Sequence, residues 1–150
     1  ILMAKEFPEI AGIILMATPY KIKFEYFVII IAKLLSRFKS YNKKFYPPTF
    51  GSSTTITRVI SYQTYPVASA LESFELIRAS RENISYVFQP CLVMQSSSDH
   101  ILKKNSLEKI YARVSSKRKK KKYVHQAYHT FISDIRNEYV FEDILDFISQ

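Results

Sequence analysis

The sequence predicts an α/β fold: a mostly parallel sheet flanked by helices. Two apolar runs of buried-strand type, residues 11–18 and 91–96, and a third strand-like run at 122–127 are separated by stretches whose apolar residues recur at helical spacing. Strands alternating with helices require right-handed crossovers, which set the strands side by side in parallel. With 150 residues and 47% hydrophobic content the chain can bury one sizeable core, so a single domain is expected. Only Gly12 and Gly51 are glycines, where average usage of about 7% would supply about ten, so a glycine-rich phosphate loop is excluded.

Each element has a local reason. Residues 2–7 read as the end of a helix stopped by Pro8, and "AGIILMAT", residues 11–18, is a continuous apolar strand ended by Pro19. Helical periodicity runs from Phe24 to about Phe38, and "KFYPPTFGSSTTITR" reads as a loop. A second amphipathic helix is predicted from Val67 to about Ile84. This middle third is an excursion from the strand and helix alternation. "CLVMQS" returns to a buried strand at 91–96, followed by a helix over 106–114, the strand at 122–127 and a closing helix over 138–148.

Charge and cysteine usage narrow the function. The single cysteine, Cys91, opens an apolar run and reads as a small buried hydrophobe; no disulfide framework is possible, which suits a reducing cytoplasm. No apolar run reaches the ~20 residues that span a bilayer. Six of the bases behind the net charge of +9 sit in "KRKKKK", residues 117–122. Such a run can bind phosphate backbones, but no aromatic residue interleaves it as a stacking platform would, so a solvated loop between a helix and a strand is the expectation.

In a sheet of this kind ligands bind beyond the carboxyl ends of the strands. Asp99 and His129 both fall just past a predicted strand, and neighbouring strands lie about 5 Å apart, so the two side chains can meet. A carboxylate that accepts from one imidazole nitrogen fixes the tautomer and leaves the other free as a general base, whose natural client is a serine.

At these residues the chain resembles the carboxylesterase and monoacylglycerol lipase branch of the α/β-hydrolases. "FPEIAGIILMATP" resembles the strand after the nucleophile helix, "PCLVMQSSSDHILKKNSLEKIY" the acid strand and loop, and "VHQAYHTFISDIRNEYVFEDILDFIS" the histidine loop and final helix. The resemblance implies a partial α/β-hydrolase fold with a cap-like insertion at about 20–66. It makes Asp99 the triad acid and His129 the triad base, with an ester or monoacylglycerol as substrate, no cofactor and no metal. The chain departs from the family pattern at Ala127 and Tyr128, where a small residue and Gly usually precede the histidine, and at Ser96, Ser97 and Ser98, where the acid loop commonly has Gly. It contains no G-x-S-x-G elbow, and "FGSSTT" lies in a polar loop without strand-turn-helix context. The expectation is a C-terminal portion that lacks its serine and is inactive alone, to be completed by a complementary N-terminal half.

Other readings stand beside this one. Asp99 reads alone as a loop or cap acid near the helix at Ser106, and its pairing with His129 is what favours the triad. His100 is expected to point away from Asp99 at the surface. His125 and His129 with Asp99 could be offered to a divalent ion, but His125 is expected inside the strand and no two-histidine helix motif occurs. Asp134 reads as a loop acid. The apolar helix at 24–38 is expected to cover the sheet as a cap, with contact to a lipid surface as the lesser reading given Lys21, Lys23, Lys33 and Arg37. From a different class come a basic interaction module working through 117–122, for which nucleic acid is a weak partner, and a gene product with no function of its own.

Overall fold

The computed structural model describes residues 1–43, 64–133 and 137–150. A short helix α1 (Leu2–Glu6) leads into strand β1 (Ile13–Met16), helix α2 (Glu25–Leu35) and strand β2 (Tyr41–Lys43). Strand β3 (Thr64–Pro66), helix α3 (Val67–Asn83) and a 3-10 turn at Ile84–Tyr86 follow. Strand β4 (Cys91–Ser96), helix α4 (Ser106–Arg113), strand β5 (Lys119–Val124), a second 3-10 turn at Phe131–Ser133 and helix α5 (Tyr139–Ile148) complete the order.

Three parallel strands form the main sheet in the order β1-β4-β5, and β2 and β3 make a separate antiparallel pair. The central strand β4 is buried along its whole length, as a strand covered on both faces must be. Alternation splits its side chains between two cores. Cys91 and Val93 join Leu15, Ala4, Ile84, Val87, Leu107, Ile110 and Val114 under α1, the end of α3 and α4. Leu92 and Met94 join Val124, Ala127, Phe131, Val140 and Phe147 under α5. Each fully buried apolar side chain of this size stabilises the fold by about 1.5–3 kcal/mol. Burial also pushes the Cys91 thiol up to about 11, so Cys91 packs as a hydrophobe and not as a reactive thiolate.

Two sequence expectations need correction. The first strand is shorter than 11–18, because Ala11 and Gly12 are exposed ahead of it and Ala17 turns to a left-handed φ of 47° behind it. The third strand runs over 119–124 and not 122–127, so most of the basic run is strand. Period-2 alternation lets four consecutive lysines occupy β5. Lys119 and Lys121 lean toward α4: the Lys119 ammonium donates to the Tyr111 and Val114 carbonyls at 2.9 and 2.7 Å, and Lys121 pairs with Glu108 at 2.6 Å. Lys120 and Lys122 lean toward α5, reaching Gln150 and Asp143, each at 2.9 Å. Aromatic faces absent from the run come from its neighbours: Lys119 and Lys121 lie over the Tyr111 ring and Arg118 over Phe147.

Helix α2 packs on α3, tied by a half-buried ion pair between Glu25 and Arg81 at 3.0 Å. None of its residues is fully buried, and Tyr26, Phe27, Ile30 and Leu34 are exposed. Among the described residues no helix is long and apolar enough to cross a membrane. The loop predicted from residue 44 to 58, with its "FGSSTT", lies outside the described residues, as does Asp134.

Candidate active site

The carboxyl ends of β4 and β5 open into two loops, and buried hydroxyl chemistry holds those loops together. Ser96, the last residue of β4, is 1% exposed; its hydroxyl donates to the Ala127 carbonyl of the histidine loop and accepts from the Ser98 amide at 3.1 Å. The Ser97 amide adds a bond to the Val124 carbonyl at 2.9 Å. Ser96, in the stretch 96–98 where the resemblance commonly implies Gly, thus bonds the two loops through its side chain.

Asp99 then makes a local turn of its own. Its Oδ1 accepts from the amides of Ile101 and Leu102 at 2.8 and 2.9 Å, which leaves Oδ2 aimed across the sheet edge. There it meets His129 Nδ1 at 2.8 Å. The carboxylate side chain is 1% exposed and the imidazole 27%, so the acid is sealed while the base reaches solvent. Burial disfavours ionisation of Asp99, but the bonds from His129 and the two amides outweigh it and hold the carboxyl below its ordinary value. An ionised carboxylate only accepts, so Nδ1 carries the proton and Nε2 is the free basic nitrogen.

His100 is half-buried and not at the surface, because the Asp99 turn folds the next residues inward and the Tyr128 ring meets the imidazole edge-on, 6.2 Å between centroids. Desolvation lowers its pKa; Asp99 opposes the effect, while His129 and Lys23 add to it. His125 lies one residue beyond β5 and not inside it, exposed, its Nδ1 3.3 Å from the Ser97 hydroxyl. Among the described residues no group of three His, Cys, Asp or Glu side chains could hold a metal ion.

Three positioning residues escape a reading of the sequence alone. Gln95 sits buried in β4 and binds both sides of the acid loop: its Oε1 accepts from the Leu107 amide at 2.9 Å, and its Nε2 donates to the Lys103 carbonyl at 3.4 Å. A polar residue closing the run "CLVM" was the available clue. Lys23 donates to the Asp99 carbonyl at 3.4 Å, and Ser96 bridges the loops, both through long-range contacts with no local pattern. Gln126, between β5 and His129, takes a φ of 53°, a strained conformation for a residue with a side chain, at the same edge as Ala17.

Known proteins share this architecture. A carboxylesterase of Bacillus subtilis (strain 168) is 25% identical over 141 residues, which is 94% of this chain and 55% of that protein. Among solved structures, one from the work on the metagenome-derived lipolytic enzymes LipS and LipT superposes with a TM-score of 0.81 at 21% identity, covering 98% of this chain and 58% of that one. The monoacylglycerol lipase of Paleococcus ferrophilus follows at 0.70 and 15%, covering 95% of this chain and 60% of its own. A soluble variant of the Saccharomyces cerevisiae monoglyceride lipase gives 0.68 and 18%, covering 94% and 56%. The chain therefore spans little more than half the length of each relative. These likenesses establish a partial α/β-hydrolase fold, and the profile of the family described as serine aminopeptidase, S33, matches residues 1–136. The chain belongs to that family.

Proposed function

We propose that this chain supplies the acid and the base of a serine hydrolase acting on carboxylic esters, monoacylglycerols among them. The observation that carries the reading is the 2.8 Å contact between Asp99 Oδ2 and His129 Nδ1 at the carboxyl edge of the sheet. In this role Nε2 of His129 takes the proton of an attacking serine hydroxyl and returns it to the leaving alcohol, while Asp99 holds the tautomer and stabilises the imidazolium that forms. The nucleophile and the oxyanion donors come from outside these 150 residues, since two glycines cannot form a G-x-S-x-G elbow at their spacing. A complementary N-terminal half is the partner implied. Helix α2, within the cap-like insertion and packed on α3, covers the acyl chain in this reading. A reducing cytoplasmic location fits the buried Cys91 thiol.

The test joins the missing half to the chain. A fusion of the N-terminal portion of the Bacillus subtilis carboxylesterase to this chain should hydrolyse a short-chain nitrophenyl ester, and His129→Ala should abolish the turnover. Turnover indifferent to that change would remove the role given to His129.

A further inference from the structure

Against the loop that carries Asp99 lies an open cavity of about 570 Å³ that the ester reading does not use. Its wall is an isolated antiparallel bridge between Ile22 and Leu102. Two backbone bonds hold it: the Lys23 amide donates to the Ile101 carbonyl at 3.2 Å, and the Lys103 amide to the Lys21 carbonyl at 3.1 Å. Leu102 is buried, and its bridge neighbours Lys21, Lys23 and Lys103 all line the cavity, together with Phe24 and Phe27.

The charge in this groove is unbalanced. Its one acid, Glu25, is engaged elsewhere, with Oε1 on Arg81 and Oε2 accepting from the Ile22 amide. Among the described residues none of the three lysines forms an ion pair with a carboxylate. Three ammonium groups on one wall repel one another, and an anion placed among them relieves that repulsion. Lys23 also contacts the backbone carbonyl of Asp99, so the groove adjoins the loop that carries the acid.

We propose that this groove is a subsite for an anionic group, a carboxylate or a phosphate, carried by the ester on which the site acts. The proposal rests on the ester reading above and narrows it. Lys21, Lys23 and Lys103 bind the anion, and the exposed rings of Phe24 and Phe27 receive the adjoining apolar chain. An uncharged monoacylglycerol leaves the three charges unanswered.

Binding of stable analogues to the 150-residue chain tests this without requiring turnover. The probes are succinic acid monohexylamide, hexyl phosphate and uncharged N-hexylsuccinamide, followed by titration calorimetry and by amide shifts of Lys23 and Lys103. We expect at least one of the two anions to bind about tenfold more tightly than the uncharged amide, with the preference shrinking as salt screens it. The tighter of the two identifies the group. The triple change Lys21→Gln, Lys23→Gln and Lys103→Gln should erase the preference, while arginine at the same positions keeps it; circular dichroism checks that the variants fold. Equal binding of charged and uncharged probes, or a preference that survives the triple change, overturns the proposal. So does binding to phosphatidylserine vesicles without binding of either soluble anion, which would make the groove a lipid-surface contact. His129→Ala should leave the preference intact, so loss of the esterase reading and loss of the subsite are separable outcomes.

Discussion

His129 Nδ1 lies 2.8 Å from Asp99 Oδ2, while the other oxygen of the same carboxylate accepts two backbone amides. The two oxygens therefore have separate partners, the backbone turn for one and the imidazole for the other. Asp99→Asn keeps an acceptor for the Ile101 and Leu102 amides, whereas Asp99→Ala leaves both without their partner. Alanine should be the more destabilising change by about 1–3 kcal/mol in urea unfolding. In a catalytically complete fusion, asparagine should still lower kcat about 10⁴-fold, because its amide donor stabilises the wrong imidazole tautomer. Equal stability of the two variants would show that the turn does not depend on Oδ1.

Acidification should weaken the fold in two stages. The His100 pKa is lowered in the folded state, so the unfolded chain binds a proton first and stability falls as pH drops below the ordinary value of 6.5. The depressed carboxyl of Asp99 contributes stability that is present above its ordinary value of 3.8 and is lost as pH falls through its lower folded value. Urea midpoints between pH 8 and pH 3 check this. His100→Gln should flatten the upper stage and leave the lower one.

The fold and the pair were legible in the sequence because both follow from local pattern. An apolar run such as "CLVM" needs cover on both faces and Asp99 follows it, while His129 follows the strand-like run at 122–127, so the sheet edge brings them together. What stayed hidden depends on contacts distant along the chain. The lysines of β5 look like a solvated loop until Glu108, Asp143 and the end of α4 are placed beside them, and nothing near His100 in sequence announces the Tyr128 ring. Gln95 and Ser96 are ordinary polar residues whose partners lie 12 and 31 positions away.

The basic strand should behave as a structural element first. Lys119 bonds two carbonyls at the end of α4, where a cation also meets the negative end of the helix dipole, so Lys119→Gln should cost about 1 kcal/mol. Lys120→Gln, at an exposed pair with Gln150, should cost almost nothing in the same denaturation experiment. Because Lys121 and Lys122 already have carboxylate partners, duplex DNA should bind weakly, with a salt slope corresponding to about three phosphates, or fewer, by fluorescence anisotropy.

Strand β1 leaves one edge open among the described residues. The Ile13 and Ala17 amides donate to the Pro90 and Met94 carbonyls, so the intervening Ile14 and Met16 turn their backbone groups to the side on which no described strand pairs. Met16 is 38% exposed, and a cavity of about 280 Å³ opens beside Ile14 and Phe147. An apolar unpaired edge invites pairing between chains. Met16→Lys should reduce self-association in sedimentation velocity, and unchanged association would locate the sticky surface elsewhere.

In the proposed function Asp99 and His129 activate a nucleophile held outside these 150 residues, and hydrolysis of a nitrophenyl ester reads out that role. The chain alone should show no turnover above background, and the N-terminal fusion should show turnover that His129→Ala removes. If the chain alone hydrolyses the ester and His129→Ala abolishes that activity, a nucleophile lies within the 150 residues and the proposed function falls.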